Sequence, residues 1–152
     1  MARILIIGGS LGGLMAANLL VRGGHEVTVL ERSAGSMEGR GAGIVTHRAL
    51  VEGLQRCGMP EGTELGVAVD GRVCLNAKGD VIETLEMPQV LTSWSFLYRL
   101  LHSLLMKAAP QALRSGVALQ RVEQSEAFVR AHTSAGVFDA DLMIGADGIR
   151  ST

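Results

Sequence analysis

Gly8-Gly9-Ser10-Leu11-Gly12-Gly13 and, 18 positions past Gly13, Glu31 are the residues of this 152-residue chain whose types and spacing carry chemistry. The glycines stand between an apolar run, Ile4–Ile7, and a helical pattern. They allow a sharp turn and a helix start stripped of side chains. Backbone N–H groups and the positive helix end can then meet a pyrophosphate. Glu31 closes a second apolar run, Val27–Leu30, where its carboxylate can accept from ribose hydroxyls and would repel a 2′-phosphate. Apolar run, glycine turn, helix, apolar run and carboxylate, in that order, are the layout of a βαβ dinucleotide site over residues 3–31. One position departs from G-x-G-x-x-G: Ser10 fills the second glycine place. It sets a Cβ where backbone should approach phosphate, but brings a hydroxyl that can donate to it. A tight βα turn that binds nothing is the alternative this departure leaves open.

A second stretch of the same kind closes the chain. Asp141–Ile144 runs as an apolar strand into Gly145-Ala146-Asp147-Gly148, and the sequence stops four residues later at Thr152. A domain rarely ends on a buried strand followed by such a turn, so this end reads as a truncation.

The elements that must position these residues follow from periodicity and punctuation. Leu14, Ala17, Asn18 and Val21 spell a small-faced helix capped at Gly23-Gly24. Thr46 is the expected N-cap of a helix over His47–Cys57, stopped by Gly58 and Pro60. Between about 64 and 85 the pattern becomes an antiparallel meander: Val67–Val69, Val73–Leu75 and Val81–Ile82, with turns at Asp70-Gly71 and Lys78-Gly79-Asp80. Leu97, Leu100, Leu101, Leu104 and Leu105 recur at helical spacing up to Pro110. Further strands are expected over 117–122, 127–131 and 137–144, with a turn at 133–136.

Composition excludes several function classes. Net charge is −1 with five aromatic residues, so there is no basic field and there are few stacking platforms, which argues against nucleic acid as a partner. No charge-free apolar stretch of about 18 residues spans a membrane. Ile4–Ile7 is too short for a signal-peptide core. Cys57 and Cys74 lack a partner Cys or His nearby and read as buried or half-buried free thiols in a reducing cytoplasm. No Ser-His-Asp, Cys-His or metal-spaced cluster is present. His47, His102 and His132 read as ordinary histidines, with a catalytic role at His47 the lesser alternative; Asp139 and Asp141 read as turn carboxylates, and Trp94 as a core anchor ahead of a platform for a cofactor ring. Arg99 is either a snorkelling surface cation or a cofactor contact.

Taken together these residues resemble the FAD-dependent aromatic hydroxylases of the p-hydroxybenzoate hydroxylase-like class. The resemblance runs in order through the glycine motif ending in Glu31-Arg32, then Gly39-Arg40-Gly41-Ala42-Gly43-Ile44, Leu97-Tyr98-Arg99-Leu100-Leu101, the strand with Val122, and Gly145–Ser151. Within the class, the Gly-Gly-Ser turn and Thr92-Ser93-Trp94 are most similar to the 2,6-dihydroxypyridine hydroxylase branch. The resemblance implies an α/β fold: a Rossmann-like FAD-binding domain with a parallel sheet and an inserted antiparallel meander, C-terminally truncated, the substrate domain largely absent. It implies that Gly8, Gly9, Ser10, Leu11, Gly12 and Gly13 hold the FAD pyrophosphate and Glu31 the adenosine ribose. Arg32 would flank the adenine and the Val122 backbone would touch it. Arg40, Gly41, Ala42, Gly43 and Ile44 would approach the ribityl or isoalloxazine, and Arg99 is a further FAD candidate. Asp147 and Gly148 would support the phosphate-binding architecture. Many members carry an FAD-contacting arginine where this chain has Trp94.

The implied activity of the parent enzyme is hydroxylation of a small aromatic or heteroaromatic substrate with NAD(P)H and O2. The flavin supplies the chemistry, while the protein positions the ring and excludes water, so no protein nucleophile is required. By itself the chain is expected to show no hydroxylase activity and to retain little flavin. A non-catalytic nucleotide-binding fragment, or another flavoenzyme such as a halogenase or reductase, are the alternatives. Substrate identity and homo-oligomerisation stay open.

Overall fold

A computed structural model describes residues 1–35, 37, 43–148 and 151. In chain order the elements are β1 (Arg3–Ile7), α1 (Leu11–Arg22), β2 (Glu26–Glu31), β3 (Gly43–Val45), α2 (Arg48–Arg56), β4 (Val67–Leu75) and β5 (Val81–Ser93). There follow α3 (Trp94–Ala108), β6 (Leu113–Ser115), β7 (Leu119–Gln124), β8 (Val129–Thr133), β9 (Gly136–Ala140) and β10 (Leu142–Gly145).

Four parallel strands in the order β10-β1-β2-β6 make the central sheet. Both its faces are covered, which is why β1 and β2 read as nearly unbroken apolar runs. Alternation along β1 sends Ile4 and Ile6 to one side, where with Val27 and Val29 they join Leu14, Ala17, Leu97, Leu101 and Leu105 of α1 and α3. Leu5 and Ile7 point the other way and, with Leu30, pack on Ala131 and Ala140 of a second sheet, β7-β8-β9. The chain is therefore α/β, with antiparallel sheets beside a parallel core.

The expected α1 forms as written, its C-cap at Gly23 and its small face buried through Gly13, Leu14, Ala17 and Asn18. Asn18 is a buried polar group with a structural task. Its Nδ2 donates to Leu14 O at 2.8 Å and across to Leu101 O at 2.9 Å, pinning α1 to α3.

Several expectations are corrected. The cap of α2 is His47, not Thr46: His47 Nδ1 accepts from Leu50 N at 3.2 Å, while Thr46 Oγ1 donates to Val90 O. The meander of about 64–85 is a single long hairpin, β4 and β5, with β3 on the far side of β5 and with β5 extending to Ser93. Asp70-Gly71 is no turn. It lies at a bulge where the register jumps from Val69↔Gln89 to Gly71↔Glu86, because β5 carries an extra residue at Met87-Pro88. Only Asn76–Asp80 turns the chain, with Asn76 Oδ1 accepting from Lys78 N and Asp80 N.

The run 137–144 also divides. Its first half is β9 of the antiparallel sheet and its second half is β10 of the parallel one, the break falling at Asp141. That carboxylate accepts from Arg3 N and Arg3 Nη2, both at 2.8 Å, while Asp141 N donates to Arg3 O. The guanidinium and amide of Arg3 hold the Asp141 carboxyl below the ordinary aspartate range. Asp139 is not in a turn but pairs across strands with Arg130 at 2.6 and 2.8 Å.

Two outcomes test this packing. Asn18→Ala removes two buried hydrogen bonds and should lower unfolding free energy by about 1–3 kcal/mol in a denaturant titration. Cys57 is buried as expected, but Cys74 is exposed rather than half-buried, because it lies on the largely exposed strand β4. Burial pushes the Cys57 thiol up to about 11, against a smaller pull from Arg22. Iodoacetamide at pH 8 should therefore alkylate Cys74 in the native protein and reach Cys57 only on unfolding, read by peptide mass mapping.

Candidate cofactor-binding site

The carboxyl ends of β1, β2 and β10 meet at one point, the place where open parallel sheets bind ligands. Gly8 leaves β1 at φ +109°, its N–H donating to Leu30 O at 2.8 Å. A Cβ here would lie 2.3 Å from the carbonyl oxygen of Ala146, so β10's exit turn presses directly on the glycine backbone. A Cβ on Gly13 would lie 1.9 Å from Gly8 O. The first turn of α1 is thus seated on the loop with nothing between them. Gly12 differs: a Cβ there meets nothing within 4 Å. Gly8 and Gly13 are bare so that backbone can pack on backbone, and Gly12 is bare toward an open cleft.

Ser10 is the N-cap of α1, at φ −82° and ψ −172°, an ordinary extended conformation. Its side chain makes no capping bond. The first helical bond is Leu14 N to Ser10 O, so the N–H groups of Leu11, Gly12 and Gly13 have no carbonyl within the helix. The serine hydroxyl, likewise unspent on the cap, lines the cleft. Leu11 turns its side chain against the core.

Glu31 is 9% exposed, and both its carboxylate oxygens are engaged: Oε2 accepts from Gly9 N and Oε1 from Ser33 N, each at 2.8 Å. The end of β2 is thereby tied to the glycine turn. A carboxylate offers roughly four acceptor sites, so capacity remains toward the cleft that Glu31 lines. That cleft encloses about 1100 Å³, at the large end for small-molecule sites. Gly8, Ser10, Gly12, Glu31, Arg32, Asp147 and Gly148 all line it, so the two motifs at opposite ends of the sequence share one cavity. Gly148 takes φ +77°.

Not every expected residue is brought in. Val122, on β7 and 37% exposed, lies beyond the lining; Val117, Ala118 and Leu119 occupy that rim instead. Arg99 faces a separate groove of about 450 Å³ with Ala34, His102 and Ser115. Gly43 and Ile44 stand on β3 in register with Ser93 and Thr92, beside the start of α3. Arg40, Gly41 and Ala42 lie outside the described residues. Sequence reasoning missed Met37, which is buried and lines the cleft, and set Trp94 as a core anchor ahead of a flavin stacker; Trp94 packs against the core and also lines the cleft. No group of three metal-ligating side chains occurs among the described residues.

A family model described as FAD binding domain matches residues 1–152. The chain belongs to the FAD-binding domain family. This FAD-binding domain is 35% identical to hispidin-3-hydroxylase of Neonothopanus nambi over 98% of its own length and 38% of that protein's. It is 31% identical to 2,6-dihydroxypyridine 3-monooxygenase of Paenarthrobacter nicotinovorans, covering 96% of this chain and 36% of the relative. Among solved structures, 2,6-dihydroxypyridine-3-hydroxylase from Arthrobacter nicotinovorans superimposes with a TM-score of 0.86 at 30% identity, over 99% of this chain and 38% of that one. The chain thus spans under two fifths of the length of these relatives, and the resemblance to FAD-dependent aromatic hydroxylases drawn from the sequence holds. The residues present fit FAD: an uncapped helix start, an open approach at Gly12 and a carboxylate at the end of β2 face one cleft.

Gly13 and Gly12 should separate fold from binding. Gly13→Ala must push α1 off Gly8 and should cost about 3 kcal/mol of stability. Gly12→Ala should match or exceed wild-type stability by up to about 1 kcal/mol, as Ala does in helices, yet weaken FAD binding at least tenfold. Thermal melts paired with FAD titration check both.

Proposed function

We propose that the chain is the FAD-binding portion of a flavin-dependent monooxygenase that hydroxylates an aromatic or heteroaromatic ring with NAD(P)H and O2. The observation that carries this reading is the shared cleft, where the uncapped N-terminus of α1 faces the same space as Glu31 and the Asp147-Gly148 turn. The names of the relatives, hydroxylases and monooxygenases, support the reaction class.

In this reading the N–H groups at the start of α1, with the Ser10 hydroxyl, bind the pyrophosphate, helped by the positive helix end. Glu31 keeps its two backbone donors and accepts in addition from the adenosine ribose. Arg32, an exposed cation on the cleft, flanks the adenine, and Val117–Leu119 supply the rim beside it. Arg40, Gly41, Ala42, Gly43 and Ile44 serve the flavin side, and Asp147 and Gly148 close the phosphate end. Bound there, FAD would relay electrons from NAD(P)H to O2 for insertion of one oxygen atom into the substrate ring. The chain's own contribution is to hold the cofactor's charged middle in a fixed, partly dehydrated place, where those dipoles act most strongly. Hydroxylation belongs to the parent enzyme; these residues alone would not perform it.

Glu31→Gln keeps the shape of the side chain but removes its charge. FAD affinity of the full chain should fall by about 1.5–3 kcal/mol, the range for hydrogen bonds to a charged group. Fluorescence titration, with circular dichroism confirming the fold, reads the effect. Unchanged affinity in the folded variant would remove Glu31 from the ribose.

A further inference from the structure

Trp94 opens α3 and is half-buried on the cofactor cleft. Its indole stacks on Tyr98 with ring centroids 5.0 Å apart and planes 9° apart. Tyr98 stacks in turn on His102 at 5.8 Å and 29°. Residues four apart share a helix face, so the three rings form a column along α3. The middle ring is anchored: Tyr98 is 9% exposed and part of the main core cluster. The column therefore fixes the plane of the indole. One face of Trp94 is taken by Tyr98, and the remainder of the ring is what meets the cleft.

The surroundings of that ring differ from those of Glu31. Met37, a member of the core cluster that Trp94 packs on, lines the cleft, as do Ile144 and Ala146, which pack against the same cluster; all three are apolar. The charged groups Glu31 and Arg32 stand at the end of β2. A dinucleotide whose adenine lies beside Arg32 and Val117–Leu119, whose ribose is at Glu31 and whose pyrophosphate is at α1 has one flat group left to place. We infer that Trp94 is the platform on which the flavin's fused ring rests, with Tyr98 as the positioning residue that holds the platform in plane. Aromatic pairs of this kind contribute about 0.5–1.5 kcal/mol beyond the area they bury. The inference rests on the FAD reading and goes beyond it, since it assigns the ring end of the cofactor to a particular side chain of this molecule.

Trp94 is the sole tryptophan, so its emission reports on this place alone. The full chain is titrated with FAD and, separately, with ADP, which carries the adenosine and pyrophosphate without the flavin. FAD should quench both Trp94 emission and its own fluorescence, whereas ADP should compete with FAD while leaving Trp94 emission unchanged. Trp94→Leu should weaken FAD binding about tenfold and restore the emission of the bound flavin, with ADP affinity unaltered. Trp94→Phe and Tyr98→Phe, which keep flat rings, should bind FAD as wild type does. Quenching of Trp94 by ADP as strong as by FAD would place the adenosine half there and overturn the inference. FAD binding with unchanged Trp94 emission would overturn it equally. If Trp94→Leu does not fold, the FAD and ADP titrations of the wild-type chain decide by themselves. Failure of the wild-type chain to bind FAD at all is a different result: it removes the cofactor reading and this inference with it.

Discussion

At the junction of β1, α1 and β10, backbone packs on backbone with no side chain between. A methyl on Gly13 would lie 1.9 Å from Gly8 O, and one on Gly8 would lie 2.3 Å from Ala146 O. Those contacts bring a helix start and two strand exits into a single knot. Glu31 then reaches Gly9 N at 2.8 Å and adds the third strand. Two distant glycine motifs become one cavity only because this knot is tight, and the helix dipole is aimed into the cavity for the same reason.

The layers on either side keep the knot in place. β1 divides its residues between two cores, Ile4 and Ile6 under the helices and Leu5 and Ile7 under the small antiparallel sheet. A shift of one residue in β1 would exchange the two sets, so the register is strongly specified. Asp141 performs the matching task at the other end of the chain. An apolar run that would otherwise continue as one strand is broken by a carboxylate, which Arg3 grips with both its amide and its guanidinium. The polar residue marks where the chain leaves one sheet and enters another.

What could be read from the sequence follows the strength of each local signal. The βαβ unit was legible because apolar runs, glycines and a terminal carboxylate all agree on one reading. The hairpin was misread because Asp70-Gly71 is turn chemistry used at a bulge, and the compensating residue lies across the ladder at Met87-Pro88, where no local pattern announces it. β6 escaped notice since Leu113–Ser115 is three residues long and gains its place only through pairing with β2. Trp94 was read as a core anchor ahead of a ring platform, and it packs on the core; that the same ring also faces the cleft depends on packing between α3 and strands far away in the chain. The separate groove at Arg99 has the same origin, since Ala34 and Ser115 come from segments that only the folded sheet brings together.

The order of events in folding follows from the ladder between β1 and β10. Arg3 and Asp141 are 138 positions apart, so their pairing closes nearly the whole chain into a loop. The β4–β5 hairpin and the β8–β9 hairpin close loops of a few residues and can form early on local contacts. Every residue that presses on Gly8 from β10 arrives only with the long-range closure. The cleft is thus a product of the slowest kind of contact in the molecule, and a chain that has made its helices and hairpins but not this ladder has secondary structure without a binding site.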